Sequence, residues 1–567
     1  MIKDSIMRAE IAMGTRSSTK ETTLRLPGIK FLSLILAFCT GVTTCQTALF
    51  WWDSIRTSQS RSLVTLPVVE HTPVLRNPQN QQQCRFYMAE SAVAEGAGLG
   101  VFAGVGLLPN EMIGFPDICL FVTNPPKRGV NHLLSHTWSH GMFFGQFEGR
   151  DTRVACEGYG TIFNTMPRSH INTKIVSSIQ QTTGGIRASM PNAGSITNHF
   201  GIHAKARDVI SAGSEFTIDY YDWEFDESEY RGKKRPERSI DDLEENGWCI
   251  DHVEIRQSTI TGAGRGAFVK RGLPQGSVVV PAPLEVFRDR SVFQNIQPEH
   301  LFVNYCFQPI GSDVLLYPYG PGVNLINHSS KSPNVGLRWS LNPMHQQDLM
   351  TTDKDAFWRQ VRPGSLILEF VALRDLQPGE ELLLDYGRTW ESAWQTHVDQ
   401  WVPPQDAQDR KYPEDMDETG TLRTVQEQER DPYPSNLMTI CNTPDRRRKD
   451  SKHVEWQDSK REEWWWQVAY CHILDREMGD NGTFEYTVEV IFNPSNGKLT
   501  EKELAYNPKT PFQDRYVDTK VPRRAIHWIE KPYHDDEHRP NAFRQPMELP
   551  AHLAPQFWID EAQQARN

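Results

Sequence analysis

Three short stretches of this chain carry residue types that can do chemistry together: Thr261-Gly-Ala-Gly264-Arg265-Gly266-Ala-Phe268, then Asn327-His328, then Asp385-Tyr386. Glycines lack a Cβ, so backbone amides and carbonyls can approach a ligand closely there, although the same residues also make tight turns between strands. An asparagine amide donates and accepts at once. Asn327 with His328 therefore offers adjacent donors and acceptors that could hold a polar ligand; alone, such a pair is as readily structural. Tyr386 ends a strand-like run, where its hydroxyl either packs or is aimed at a reacting atom. Tyr305, in Leu301-Phe-Val-Asn-Tyr-Cys306, reads equally as a channel-lining and as a core residue. No metal is indicated. The nine cysteines contain no C-x-x-C, and the seven beyond residue 52 (Cys84, Cys119, Cys156, Cys249, Cys306, Cys441 and Cys471) are scattered. In an oxidising lumen some of these would pair, in a connectivity the sequence leaves open.

The elements that must position these residues come in two copies. Glu95-Gly-Ala-Gly-Leu-Gly-Val-Phe102 matches Thr261 to Phe268, and Gly213-Ser-Glu-Phe-Thr-Ile-Asp-Tyr220 matches Gly379-Glu-Glu-Leu-Leu-Leu-Asp-Tyr386; Gly98 to Gly264 and Tyr220 to Tyr386 both span 166 residues. One shared offset predicts a tandem repeat of two units, 84–225 and 248–402, joined by a charge-dense linker at 226–247. Val278-Val-Val280, Leu366-Ile-Leu-Glu-Phe-Val371 and Glu381-Leu-Leu-Leu384 are apolar runs punctuated by Gly and Pro, which predicts short strands. Thr389 to Trp401 predicts a helix, with Trp390, Trp394, His397, Val398 and Trp401 forming a packing stripe on one face.

The glycine-rich turn, then Val323-Asn-Leu-Ile-Asn-His-Ser-Ser-Lys-Ser-Pro-Asn334, then Gly379 to Gly387, taken in order, resemble the signatures of the SET lysine methyltransferase family. The resemblance covers 248–402 well, 84–225 in part, and the C-terminal region not at all. It implies two tandem SET-like β-rich units; with the strand-like C-terminal region, which is read from its own pattern as a small β domain, the expected fold is mainly β with minor α. It also implies S-adenosylmethionine as cofactor, held by Gly264, Arg265, Gly266, Asn327 and His328, with Tyr386 as the catalytic residue, Tyr305 in the substrate channel, and a protein lysine as acceptor. No metal is required.

This chain departs from the family pattern at several points. Ser330 stands where the family has a cysteine, one residue is inserted before Pro333-Asn334, and no cysteine cluster follows Gly387. These absences belong together, because the family's cysteine in that stretch joins the later ones at zinc. The channel then needs another lid, for which the helix over 389–401 is the candidate. In the first unit Asn164-Thr165 stands in place of Asn327-His328, and Asn198-His199 is too close to Gly213 to be the same motif. That unit is expected to be a degenerate copy with a packing or substrate-presenting role.

At 567 residues the chain is too long for one core, since domains run to roughly 150 residues. A net charge of -12 gives no basic footprint, which argues against direct nucleic-acid binding and for a basic partner. Residues 31–52 are uncharged, and six basic against three acidic residues precede them, so 1–52 reads as a signal peptide or membrane anchor and the address as the secretory pathway, anchored or secreted. A nuclear or cytoplasmic address is the alternative. Residues 403–452 read as an acidic linker. Residues 453–560 read as a small β domain, Tudor- or chromo-like, with a hairpin turning at Gly479-Asp-Asn-Gly482; Asn481-Gly-Thr483 would be a glycan acceptor in the secretory pathway. Two functions stay in play: an S-adenosylmethionine-dependent protein lysine N-methyltransferase, and an inactive SET-fold binding or scaffold protein of the secretory pathway.

Overall fold

The computed structural model describes residues 83–123, 137–139, 146–147, 150–177, 189–197, 200–220, 225–294, 299–417, 420–444, 466–480, 482–491, 515–531 and 533–560. Residues 1–52, Asn198-His199 and the sequon asparagine Asn481 lie outside these. Among the described residues no helix is long and apolar enough to cross a membrane.

The fold is mainly β. In the first unit the strand Phe86–Glu90 pairs with Leu99–Ala103, and a separate sheet is built on the long strand Met112–Thr123, flanked by Arg150–Glu157 and Phe200–Ala206. The second unit holds an eight-stranded sheet with Val278–Phe287 and Ile367–Ala372 side by side at its centre. Both are almost wholly buried, as an apolar run without alternation requires of a strand covered on both faces.

Beneath the different sequences the same pairings recur. Isolated bridges join Phe102 to Glu215 and Leu107 to Ile210, and, 166 residues later, Phe268 to Glu381 and Leu273 to Leu376. Parallel pairs join Asn164–Thr165 to Thr217–Ile218 and Asn327–His328 to Leu383–Leu384. The two units are not independent bodies. Ile118, Leu120, Val122 and Ala155 of the first lie in one core with Val280, Leu316 and Phe370 of the second. The strand Trp248–Cys249, at the start of the second unit, pairs with Phe86–Glu90, and a disulfide joins Cys84 to Cys249. Further disulfides join Cys119 to Cys156 and Cys441 to Cys471, while Cys306 is free and buried.

Two stretches expected to be linkers are folded. Residues 226–247 form the helices Glu227–Tyr230 and Ile240–Asn246 against the first unit, because their charges are paired: Arg235 with Asp208, and Arg238 with both Glu90 and Asp242. Leu243 is fully buried there. Within 403–452, Leu437–Pro444 is a strand of the C-terminal body, between Trp466–Met478 and Ile526–Glu530. Its apolar residues, Leu437, Met438, Ile440 and Cys441, do not alternate and follow an acidic stretch, so the sequence carries no strand period here.

The expected turn after Met478 joins Trp466–Met478 to Phe484–Ile491, and Arg515–Pro522 completes a five-stranded antiparallel sheet. Tyr486 and Trp528 are buried in its core rather than exposed as a ligand cage. The chain then leaves this body and returns to the second unit, where Met547–Leu549 becomes the edge strand of the eight-stranded sheet and Trp558 is buried in its core.

Candidate functional site

A cavity of about 280 Å³ lies where the predicted residues of the second unit meet, close to the lower bound of small-molecule sites. Arg265, Tyr305, Asn327, His328 and Tyr386 all line it, within walls made largely apolar by Phe307, Val323, Ile326, Phe370 and Leu384. Gly264 and Gly266 do not line it; Gly262 and Ala263 do. Gly264 closes the turn with a left-handed φ of +71°, and Gly266 serves the interior, since a Cβ there would collide with the Glu381 carboxylate.

Glu381 organises one wall. Its carboxylate accepts from Ser258 Oγ (2.6 Å), the Thr259 amide (2.8 Å) and Asn327 Nδ2 (3.1 Å). Burial alone would raise its pKa, but these donors outweigh burial and hold it below the usual range. Asn327 Nδ2 also donates to the Arg265 carbonyl (2.9 Å), so its amide protons are engaged within the protein. Arg265 is buried and donates through Nη2 to Thr197 O (2.8 Å); burial brings its pKa down to about 10.

His328 and Tyr386 form the opposite wall. Nδ1 of His328 accepts from the Tyr386 amide (3.0 Å), which fixes the neutral ring with its proton on Nε2. That Nε2 is buried without a hydrogen-bond partner among the described residues, 4.0 Å from Glu391. Burial lowers the pKa of His328, against the opposing pull of Asp385 and Glu391. The Tyr386 hydroxyl donates to Ile326 O, and burial, helped by Tyr305, raises its pKa and keeps it protonated. The Tyr305 hydroxyl accepts from the Thr197 amide (2.8 Å), its pKa pushed by burial to about 12.

The helix expected as a lid spans Arg388–Gln400 and forms part of the cavity wall. Trp390 and Trp394 face the cavity, while His397 donates to Pro191 O (2.6 Å) and Trp401 to Ser189 O (3.2 Å) of the first unit. Asn192, Ser195, Ile196 and Thr197 of the first unit, and Phe543 and Met547 of the C-terminal segment, also line it. Phe543 packs edge-on against both Trp390 and Trp394. Sequence reasoning missed Glu381, although its repetition as Glu215 in the matched stretches is a signal; Thr197, Phe543 and Met547 carry none, being remote in the chain.

The first unit repeats this bonding without the histidine. Asn164 Nδ2 donates to Leu99 O (2.8 Å) and Glu215 (2.9 Å), and the Tyr220 hydroxyl donates to Phe163 O (2.5 Å). The Tyr220 amide donates to Thr165 Oγ1 (3.2 Å) where Tyr386 uses His328.

Fold and cavity together define a β-rich domain in which Asn327–His328 pairs with Leu383–Leu384, just before Asp385-Tyr386, beside one mostly apolar cavity. Residues 264–387 match the family model of the SET domain, and this stretch of the chain is a SET domain. Similar solved structures include a Plasmodium falciparum protein described as a histone methyltransferase, at 20% identity over 25% of this chain and 96% of that one, TM-score 0.17. Another is the Chaetomium thermophilum polycomb repressive complex 2, at 19% identity over 24% of this chain and 15% of that one, TM-score 0.18. A third is that complex in an autoinhibited conformation bound to S-adenosylmethionine, at 17% identity, again over 24% and 15%, TM-score 0.17. The chain thus spans 15% of the length of the polycomb chains it matches. No curated protein matches the sequence.

Proposed function

We propose that the second unit is an S-adenosylmethionine-dependent protein lysine N-methyltransferase, with Tyr386 as its catalytic residue. The observation that carries this is the convergence of His328, Asn327, Arg265, Tyr305 and Tyr386 on one mostly apolar cavity. The buried, unpartnered Nε2–H of His328 fits a ligand acceptor, and the glycine-rich turn supplies backbone at Gly262 and Ala263. S-adenosylmethionine, when bound, supplies an electrophilic sulfonium methyl group. The acceptor amine has to be neutral, which costs about 4 kcal/mol at pH 7.4 from a free pKa near 10.4. Walls such as Phe307, Ile326 and Phe370 disfavour the ammonium and lower that cost. Tyr386, kept protonated by burial and fixed to Ile326 O, presents its oxygen at a set position, and Tyr305 is held likewise by Thr197. Such preorganised dipoles align and stabilise the transferring centre.

The first unit keeps Asn164, Glu215 and Tyr220 but has Thr165 in place of the histidine, which supports reading it as a degenerate copy that buttresses the second unit. The three disulfides support an oxidising compartment, reached through residues 1–52, because cytosolic thiols are kept reduced. A C-terminal fluorescent fusion tests this: a luminal or surface signal is expected, and a nuclear signal overturns it.

The enzymatic reading is tested on the full chain with radiolabelled cofactor and a protein panel. Tyr386→Phe is expected to lower labelling by about a hundredfold while calorimetric cofactor binding persists. Equal labelling by both removes Tyr386 from the mechanism, and no heat of binding to the folded chain leaves the scaffold reading.

A further inference from the structure

The C-terminal segment supplies part of the cavity wall, with Met547 on an extended strand. Asn304 holds the start of the run: its Nδ2 donates to Phe543 O (2.9 Å) and its Oδ1 accepts from the Gln545 amide (2.8 Å). Further along, the Met547 amide donates to Cys306 O (2.8 Å) and the Glu548 amide to Tyr386 O (2.8 Å). Met547–Leu549 pairs in parallel with Phe307–Pro309, Met547 opposite Phe307. The strand therefore lies in a track with two banks. One bank is residues 304–309; the other is the turn carrying Tyr386, where a Cβ on Gly387 would strike Glu548. Strand alternation turns Met547 inward and Glu548 outward, and Met547 lines the cavity with Tyr305, Phe307 and Tyr386.

A lysine can reach Tyr386 by this route only from a backbone in the same track. We propose that Gln545–Leu549 occupies the acceptor-peptide track of the second unit, with Met547 standing where the acceptor lysine enters. The protein holds itself in a self-blocked state, and its substrates are extended segments that replace this strand by parallel pairing along Phe307–Pro309. This rests on the methyltransferase reading above. Methionine suits the role: it is unbranched and apolar like the stem of lysine, but has no ammonium to desolvate. Displacement need not undo the fold, because the run is anchored on both sides. Arg544 donates to Glu299 O (2.6 Å) and Gly194 O (2.7 Å) upstream, and Ser312 Oγ to Trp558 O (2.8 Å) downstream.

The test is the full chain carrying Met547→Lys, incubated with S-adenosylmethionine and read by peptide mass spectrometry. If the track is right, the neutral Nζ of the introduced lysine forms an N–C bond with the sulfonium methyl as the C–S bond breaks. The bonding pair returns to sulfur and the amine proton passes to solvent. Methylation at position 547 is expected, at a rate independent of protein concentration, and is expected to vanish when Tyr386→Phe is added. An introduced lysine left unmodified, in a chain that binds cofactor and labels other proteins, overturns the track and leaves the enzymatic reading standing. A chain that binds no cofactor overturns both. Met547→Gly guards against misfolding of the lysine variant: freeing the track is expected to raise labelling of a lysine peptide at least about tenfold. Unchanged labelling overturns the self-block.

Discussion

The amide of Tyr386 donates to Nδ1 of His328 at 3.0 Å, and the amide of Tyr220 makes the corresponding bond to Thr165 Oγ1 at 3.2 Å. One backbone anchor is thus met by two side chains, only one of which offers a second polar atom. His328→Thr should therefore leave the anchor and the fold in place while removing the buried Nε2–H. The expected result is a thermal midpoint close to wild type and cofactor affinity reduced by about tenfold or more, the scale of one lost buried hydrogen bond. Undiminished affinity by calorimetry would take His328 out of the cofactor site.

The same bond sets a pH dependence. Nδ1 can accept only while the ring is neutral, and burial depresses the pKa of His328 below its ordinary 6.5. A base with a depressed folded pKa contributes stability that is complete above the unfolded value and lost as pH falls through the folded one. Denaturant midpoints of wild type and His328→Thr should keep a constant difference from pH 8 to about 6.5 and diverge from it below, wild type losing more. Parallel curves down to pH 5 would contradict this.

Gly266→Ala tests whether this glycine serves Glu381 rather than a ligand. The added Cβ meets the carboxylate that Ser258, Thr259 and Asn327 share, so the cost is overpacking of about 1–3 kcal/mol in unfolding free energy. Gly262→Ala is the contrast, since Gly262 lines the cavity with a φ of +79°. A Gly266→Ala chain as stable as wild type would show that the carboxylate moves aside freely.

Much of the second unit was legible because its chemistry is local. Asn327 meets the strand Leu383–Leu384, two residues before Tyr386, through a parallel pair, and the offset of 166 residues already implied the recurring Phe-to-Glu bridges. The apolar helix stripe was legible too, but its partners were not. Pro191, Ser189 and Phe543 lie far off in the chain, in segments with no periodicity of their own. Charge density misled at 226–247, where Arg235 and Arg238 find carboxylates on the first unit and the segment folds. Glycine misled at 266, because a missing Cβ looks the same in sequence whether a ligand or a buried glutamate fills the space.

A disulfide between Cys84 and Cys249 tethers the two units. Cys84 and Cys249 are 165 residues apart and lie beside the strand pair that closes the first unit onto the second, with Tyr87 opposite Cys249. A cross-link over so long a loop mainly restricts the unfolded chain, so removing it is expected to cost about 2–5 kcal/mol. The double variant Cys84→Ser with Cys249→Ser should lose that much in denaturant titration while the Cys119–Cys156 and Cys441–Cys471 pairs resist alkylation. The cavity should still bind cofactor at neutral pH, because no residue of that strand pair is among those that line it. If protein purified under oxidising conditions is alkylated at Cys84 and Cys249 without denaturation, the tether is not formed, and the argument for an oxidising compartment loses its longest link.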